Sequence, residues 1–162
     1  MTEPIATASA APADTLLYWE DFHPGEVSEF GAVTMNRDDI VGFARQFDPQ
    51  PFHVDDAAAG TTLFGGLIAS GWHTAAVTMR MMCDAYLLRS AALGSPGLEA
   101  LRWLQPVRPG DTLHVRMTTL EVRPMQSKPD IGLVRSRWEA INQHGSTVML
   151  MEGHGMFRRR PG

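Results

Sequence analysis

At 162 residues the chain suits one domain with a core large enough to do without disulfides. Hydrophobic residues make up 44% and charged residues 20%, close to globular averages, which excludes wholesale disorder and collagen-like or coiled-coil architectures. A net charge of −4 and a pI near 5.8 exclude general nucleic-acid binding, which needs a strongly basic surface.

The first residues, MTEPIATASAAPAD, are small and polar with neither a basic start nor an apolar core. They read as a flexible arm over 1–15, ahead of a single domain over 16–162, and not as a secretory signal. No stretch reaches the roughly 18 apolar residues of a membrane span, and a single cysteine, Cys83, permits no internal disulfide. A cytoplasmic protein without membrane attachment is expected.

EVSEFGAVTM (26–35) has the β-branched and aromatic content of a first strand. NRDDIVGFARQF then changes to helical spacing, with Asn36 as N-cap and Asp38 and Asp39 in the positive first turn. Ile40, Phe43, Ala44 and Phe47 share the face expected to pack inward. That helix ends near Phe47, because Pro49 disfavours a helical conformation at Asp48.

VDDAAAG reads as a helical turn closed by Gly60. A glycine-containing loop, LFGGLIASG (63–71), leads into a long helix through WHTAAVTMRMMCDAYLLRSAAL. Its apolar residues cover most of the circumference, which predicts a central, buried helix, with Trp72, Met79 and Met82 as core and Cys83 as a small buried hydrophobe.

From Leu98 the pattern is that of strands: LEALRWLQPV, DTLHVRMTTLEVRP, IGLVRSRWEAINQ and STVMLMEGHGMF, separated by turn signals. Leu113, Val115 and Met117 alternate with His114, Arg116 and Thr118, giving one buried and one solvated face. These strands are expected to join as hairpins. The sum is an α+β fold in which an antiparallel sheet wraps a long central helix. The closing run Arg158 to Arg160 reads as a solvated tail.

Chemistry concentrates in FDPQPFHVDD (47–56). Pro49 and Pro51 restrict φ and remove two donors, so the segment keeps an extended path that aims Asp48 and His53 at one point. Further on, Gly71 stands at the start of the long helix, where the first amides lack internal partners and sit at the positive end of the dipole. Such an amide suits a developing oxyanion. His73, two residues beyond, is either a contact at the pocket mouth or a packed histidine near a helix start.

These residues resemble the signature of the MaoC-like, hot-dog-fold acyl-CoA dehydratases, including the (R)-specific enoyl-CoA hydratases. That signature is a DxNPxH loop at a helix end followed by an FxxxIxHG-like segment. Asp48, Gln50, Pro51 and His53 match the first half; Phe64, Ile68, Ser70 and Gly71 match the second. PVRPGD (106–111) looks like the family's PVxxGD turn, and similarity runs loosely from Trp19 to Phe157. Gln50 replaces the usual Asn, and Ser70 the His of many members.

The resemblance implies a hot-dog fold and reversible hydration of a trans-2-enoyl-CoA to a 3-hydroxyacyl-CoA. Asp48 and His53 would activate the water and the Gly71 N–H would hold the thioester oxygen, with Ser70, Gln50 and His73 around the substrate. It further implies a homodimer with sheets joined edge to edge. No metal or redox cofactor is expected, with neither a zinc-spaced Cys/His cluster nor a GxGxxG fingerprint in the chain, and coenzyme A enters as part of the acyl-CoA substrate. A hot-dog thioesterase and a non-catalytic acyl-CoA-binding module are the alternatives.

Overall fold

A computed structural model describes residues 15–162, so nearly all of the expected N-terminal arm lies outside the described residues. The described residues begin their regular structure with a 3₁₀ turn at Trp19–Asp21 and a strand, β1 (Val27–Thr34). Helix α1 (Arg37–Phe47) follows, and Asn36 caps it as expected by accepting the Asp39 amide hydrogen. Ile40, Val41 and Ala44 form its buried stripe. Phe47, expected inside, is 63% exposed: it occupies the last helical position and packs at a tilt against Phe43.

Two short helices come next, α2 (Pro51–Val54) and α3 (Asp56–Gly60). The path after Asp48 is therefore only partly extended. Pro51 opens a helical turn at its first position, where a missing N–H costs nothing and the fixed φ is already helical. Asp55 caps α3 through the Ala58 amide.

Helix α4 (Gly71–Ala85) is the long helix, and it ends earlier than the apolar run suggests. A 3₁₀ turn at Leu87–Arg89 follows, and residues from Ala92 on belong to a strand. Its buried residues are His73, Thr74, Thr78, Met81 and Met82, so the helix presents one face to the core and is not enclosed all round. Trp72 and Met79 are exposed and Cys83 is half-buried; the apolar circumference overstated burial because the sheet wraps a single side.

The four later strands are β2 (Ala92–Trp103), β3 (Thr112–Pro124), β4 (Ile131–Ile141) and β5 (Thr147–Arg158). With β1 they make one antiparallel sheet in the order β1-β3-β4-β5-β2. The β3–β4 and β4–β5 pairs are the expected hairpins. The β2–β3 connection is not: β2 pairs with β5 at the far edge, so the connection that ends in the PVRPGD turn crosses the sheet instead of reversing the chain in place.

Leu113 and Val115 of β3 are fully buried, and their alternation with half-buried neighbours is the pattern expected of a sheet with one face on a core. That core gathers Ile40, Met81, Met82, Trp138 and Met149 between α1, α4 and the sheet. Trp138 donates its indole N–H to the Tyr86 hydroxyl at 3.2 Å, satisfying the buried polar ends of two large rings. The architecture is the α+β sheet-around-helix arrangement expected. The arginine run is not a free tail, since Arg160 bonds Asp21 at 2.7 Å and Arg159 lies over the Trp19 ring.

Candidate active site

Three elements converge on the site. Helix α1 ends by placing Asp48 at its C-cap, where the Asp48 amide donates to the Ala44 carbonyl at 2.8 Å. Helix α2 carries His53, which is buried. The loop before α4 delivers Ser70 and Gly71, Ser70 serving as N-cap by accepting the Trp72 amide hydrogen.

Asp48 Oδ2 lies 3.2 Å from His53 Nε2. On its other side the imidazole meets the Ile68 carbonyl, 2.8 Å from Nδ1. A carbonyl oxygen only accepts, so Nδ1 carries a proton and Nε2 is the ring nitrogen that faces the Asp48 carboxylate. A proton taken up at Nε2 would then be held against a negative charge.

The two departures from the family signature both serve Asp48. Ser70 donates its hydroxyl to Oδ2 at 2.7 Å, and the Gln50 amide donates to Oδ1 at 2.7 Å. Burial works to raise the carboxyl, but the Ser70 and Gln50 hydrogen bonds and the charge of His53 outweigh it and hold Asp48 below its ordinary range. Asp48 is thus kept as an anion.

A cavity of about 350 Å³ opens beside this pair. His53, Gly71, Phe52, Phe64 and Thr74 line it from the helical side, and Trp103 lines it from the end of β2. Among the described residues the Gly71 N–H has no hydrogen-bond acceptor, as befits the first amide of a 15-residue helix. The cavity therefore has an imidazole and an unoccupied helix-end donor on one wall.

The remaining expected site residues stand off this wall. Asp48, Gln50 and Ser70 reach the cavity through His53 and Gly71 and do not line it. His73 is buried, stacked on Phe43 with ring centroids 4.7 Å apart, and is also absent from the lining. Its burial lowers the imidazole pKa against the opposing charge of Asp39, so the ring is held neutral.

Two participants carry no local signal in the sequence. The Ile68 carbonyl fixes the His53 tautomer, and Trp103 donates its indole N–H to the Gly71 carbonyl at 2.9 Å. Trp103 also explains why position 71 is glycine: a Cβ there would run into the indole ring. Among the described residues no group of three or more His, Cys, Asp or Glu is arranged to hold a metal ion, and no helix is long and apolar enough to cross a membrane.

The model of the MaoC-like domain matches residues 21–141. This chain belongs to the MaoC-like dehydratase family. The family's span holds Asp48, His53 and Gly71 together with the first four strands of the sheet.

Solved relatives share the architecture. The MaoC-like dehydratase from Rhodospirillum rubrum is 42% identical, with a TM-score of 0.84 over 90% of this chain and 99% of that one. An R-hydratase from Pseudomonas aeruginosa is 25% identical, with a TM-score of 0.72 over 90% of this chain and 88% of its own. Among curated proteins, a 3-hydroxybutyryl-CoA dehydratase from Methylorubrum extorquens is 30% identical over 143 residues, covering 85% of this chain and 86% of the relative. The hot-dog fold and the hydratase and dehydratase kinship of this MaoC-like chain follow.

Proposed function

We propose that this MaoC-like protein catalyses the reversible addition of water to a trans-2-enoyl-CoA, giving a 3-hydroxyacyl-CoA. One observation carries the reading: His53, whose Nε2 lies 3.2 Å from the ionised Asp48, and Gly71, whose N–H has no acceptor among the described residues, line the same cavity. The relatives named as an R-hydratase and a 3-hydroxybutyryl-CoA dehydratase support the reaction class.

In the forward direction a water held between Asp48 Oδ2 and His53 Nε2 gives up a proton to Nε2 as its oxygen bonds the β-carbon. The electron pair of the double bond moves onto the thioester oxygen as an enolate, which accepts the Gly71 N–H. That donor acts at the positive end of α4, where developing negative charge is best stabilised. The proton on Nε2 then passes to the α-carbon and restores neutral His53. One group thus removes and returns the proton, so water adds to a single face of the double bond, a syn addition.

The reaction uses only protein groups and the acyl-CoA itself, so no metal or redox cofactor is invoked. A homodimer joined at a sheet edge belongs to the same proposal; it rests on β2, a 12-residue edge strand with an exposed outer face.

The test offers crotonyl-CoA to the purified chain while following loss of the conjugated thioester absorbance and appearance of free thiol. Absorbance loss without thiol is expected; thiol release would make the protein a thioesterase, and binding without either would make it an acyl-CoA sensor. Asp48→Asn and His53→Ala should each cut turnover by about 10²-fold or more while the far-ultraviolet dichroism of the fold is retained. Near-normal turnover in either variant removes that residue from the mechanism.

A further inference from the structure

Glycine has the greatest backbone freedom of any residue, which makes it a poor place for a fixed hydrogen-bond donor unless something outside the helix restrains it. At Gly71 the restraint is visible. Trp103, the last residue of β2, reaches across from the sheet and donates its indole N–H to the Gly71 carbonyl at 2.9 Å. Its ring occupies the space a Cβ would take. Trp72 packs edge-on against that ring, with centroids 5.2 Å apart at 78°.

The Gly71 carbonyl and the Gly71 N–H belong to the two peptide planes flanking one Cα. Gripping the carbonyl plane and filling the Cβ position leaves the N–H plane little freedom. An oxyanion donor is worth most when already aimed, since it then pays no reorganisation as charge develops.

The same indole is a wall of the cavity, whose 350 Å³ lies at the small end of the roughly 300–1,000 Å³ typical of ligand pockets. The oxyanion donor and the wall are thus adjacent. A thioester carbonyl seated on Gly71 brings the neighbouring acyl carbons close to the Trp103 ring.

We propose that Trp103 is both the positioning residue for the Gly71 amide and the side chain that restricts the reaction to short acyl groups. The proposal rests on the hydratase reading above and adds a substrate class to it. No charge on Trp103 is involved; its effect passes through one hydrogen bond and through bulk.

Two substitutions separate these effects. Trp103→Phe keeps a ring against Gly71 and loses the N–H, while Trp103→Ala loses both. Hydration of crotonyl-CoA and trans-2-octenoyl-CoA is measured with the full chain, with melting temperatures recorded alongside. In Trp103→Phe, kcat for crotonyl-CoA should fall about tenfold with KM changed less than about twofold, the mark of a lost transition-state interaction. In Trp103→Ala, the ratio of kcat/KM for octenoyl-CoA over crotonyl-CoA should rise at least about tenfold, as a missing wall admits the longer chain.

If Trp103→Ala fails to fold, Trp103→Leu carries the chain-length arm. A kcat within about twofold of the parent in Trp103→Phe overturns the positioning role. An unchanged chain-length ratio in the smaller variant overturns the role as a wall. A parent chain that hydrates neither thioester overturns the hydratase reading itself, and the proposal with it.

Discussion

Asp48 is held by two donors of different standing. Ser70 is fully buried and also caps α4, so Ser70→Ala removes a carboxylate partner and a helix cap together. Gln50 is exposed and its side chain bonds Oδ1 while its backbone bonds to Asp48 and His53 survive truncation, so Gln50→Ala isolates the electrostatic effect. The folded Asp48 carboxyl ionises at a lower pH than in the unfolded chain. It therefore contributes stability above the unfolded pKa of about 4, and loses that contribution as pH falls through the lower folded value. Removing the Gln50 donor raises the folded pKa toward the unfolded one. The expected result is an acid limb of the kcat/KM profile displaced to higher pH, with activity at pH 7 changed less than about threefold, and a fold that is less stable at neutral pH and loses less of its stability on acidification. Ser70→Ala should show the same displacement plus a stability loss of about 0.5–2 kcal/mol from the missing cap, read by urea unfolding at neutral pH.

At the level of elements, α1 joins a cap at one end to a reactive carboxylate at the other. Asn36 accepts the Asp39 amide at 2.8 Å, and the last turn fixes Asp48 through the Ala44 carbonyl. Asn36→Ala should lower stability by about 1 kcal/mol, because one first-turn amide loses its acceptor. Ile40 and Ala44, both fully buried, still pin the catalytic end to the core, so crotonyl-CoA turnover at 25 °C should change less than about twofold. A large fall in turnover at intact stability would show that the cap sets the geometry of Asp48 as well as the strength of the helix.

Much at this scale was legible along the chain. Caps, proline positions and the alternation of Leu113, Val115 and Met117 are local chemistry, and α1, β3 and the Asp48–His53 pair follow from them directly. What escaped depends on partners distant in sequence. Nothing near Trp103 says that its ring will sit on Gly71, because β2 reaches that place only by pairing with β5 across the sheet. The rule that consecutive strands neighbour each other likewise misplaced β2 beside β3. The apolar residues of α4 satisfied a buried-helix pattern, yet Trp72 and Met79 face outward, since periodicity reports how apolar a face is and not what stands opposite it. His73 shows the converse: a polar residue near a reactive helix end that the fold turns away from the cavity and stacks on Phe43.

For the whole molecule the two edges of the sheet differ. β1 is 8 residues long and bulged between Phe30 and Val33, with Gly31 at a positive φ, the kind of irregularity that blunts an edge. β2 is 12 residues long; its register shifts between Ala92 and Gly94, Gly94 and Gly97, and Leu98 and Ala100, and it pairs without a shift from Ala100 to Trp103, with Leu98 and Trp103 exposed. An edge of that length presents unpaired backbone donors and acceptors alongside apolar side chains, and a second copy meeting it antiparallel would satisfy both about a two-fold axis. Light scattering at micromolar concentration should return twice the 17.8 kDa chain mass, with a melting temperature that rises with protein concentration. Leu98→Asp places a charge on each side of that axis and should halve the mass while leaving the far-ultraviolet dichroism of the sheet intact. A parent chain of monomer mass would remove edge pairing from the proposal and leave β2 a solvent-facing strand. Should dimer loss also depress crotonyl-CoA turnover, the end of β2 would be the link, since Trp103 lies on the same strand as Leu98 and grips the first residue of α4.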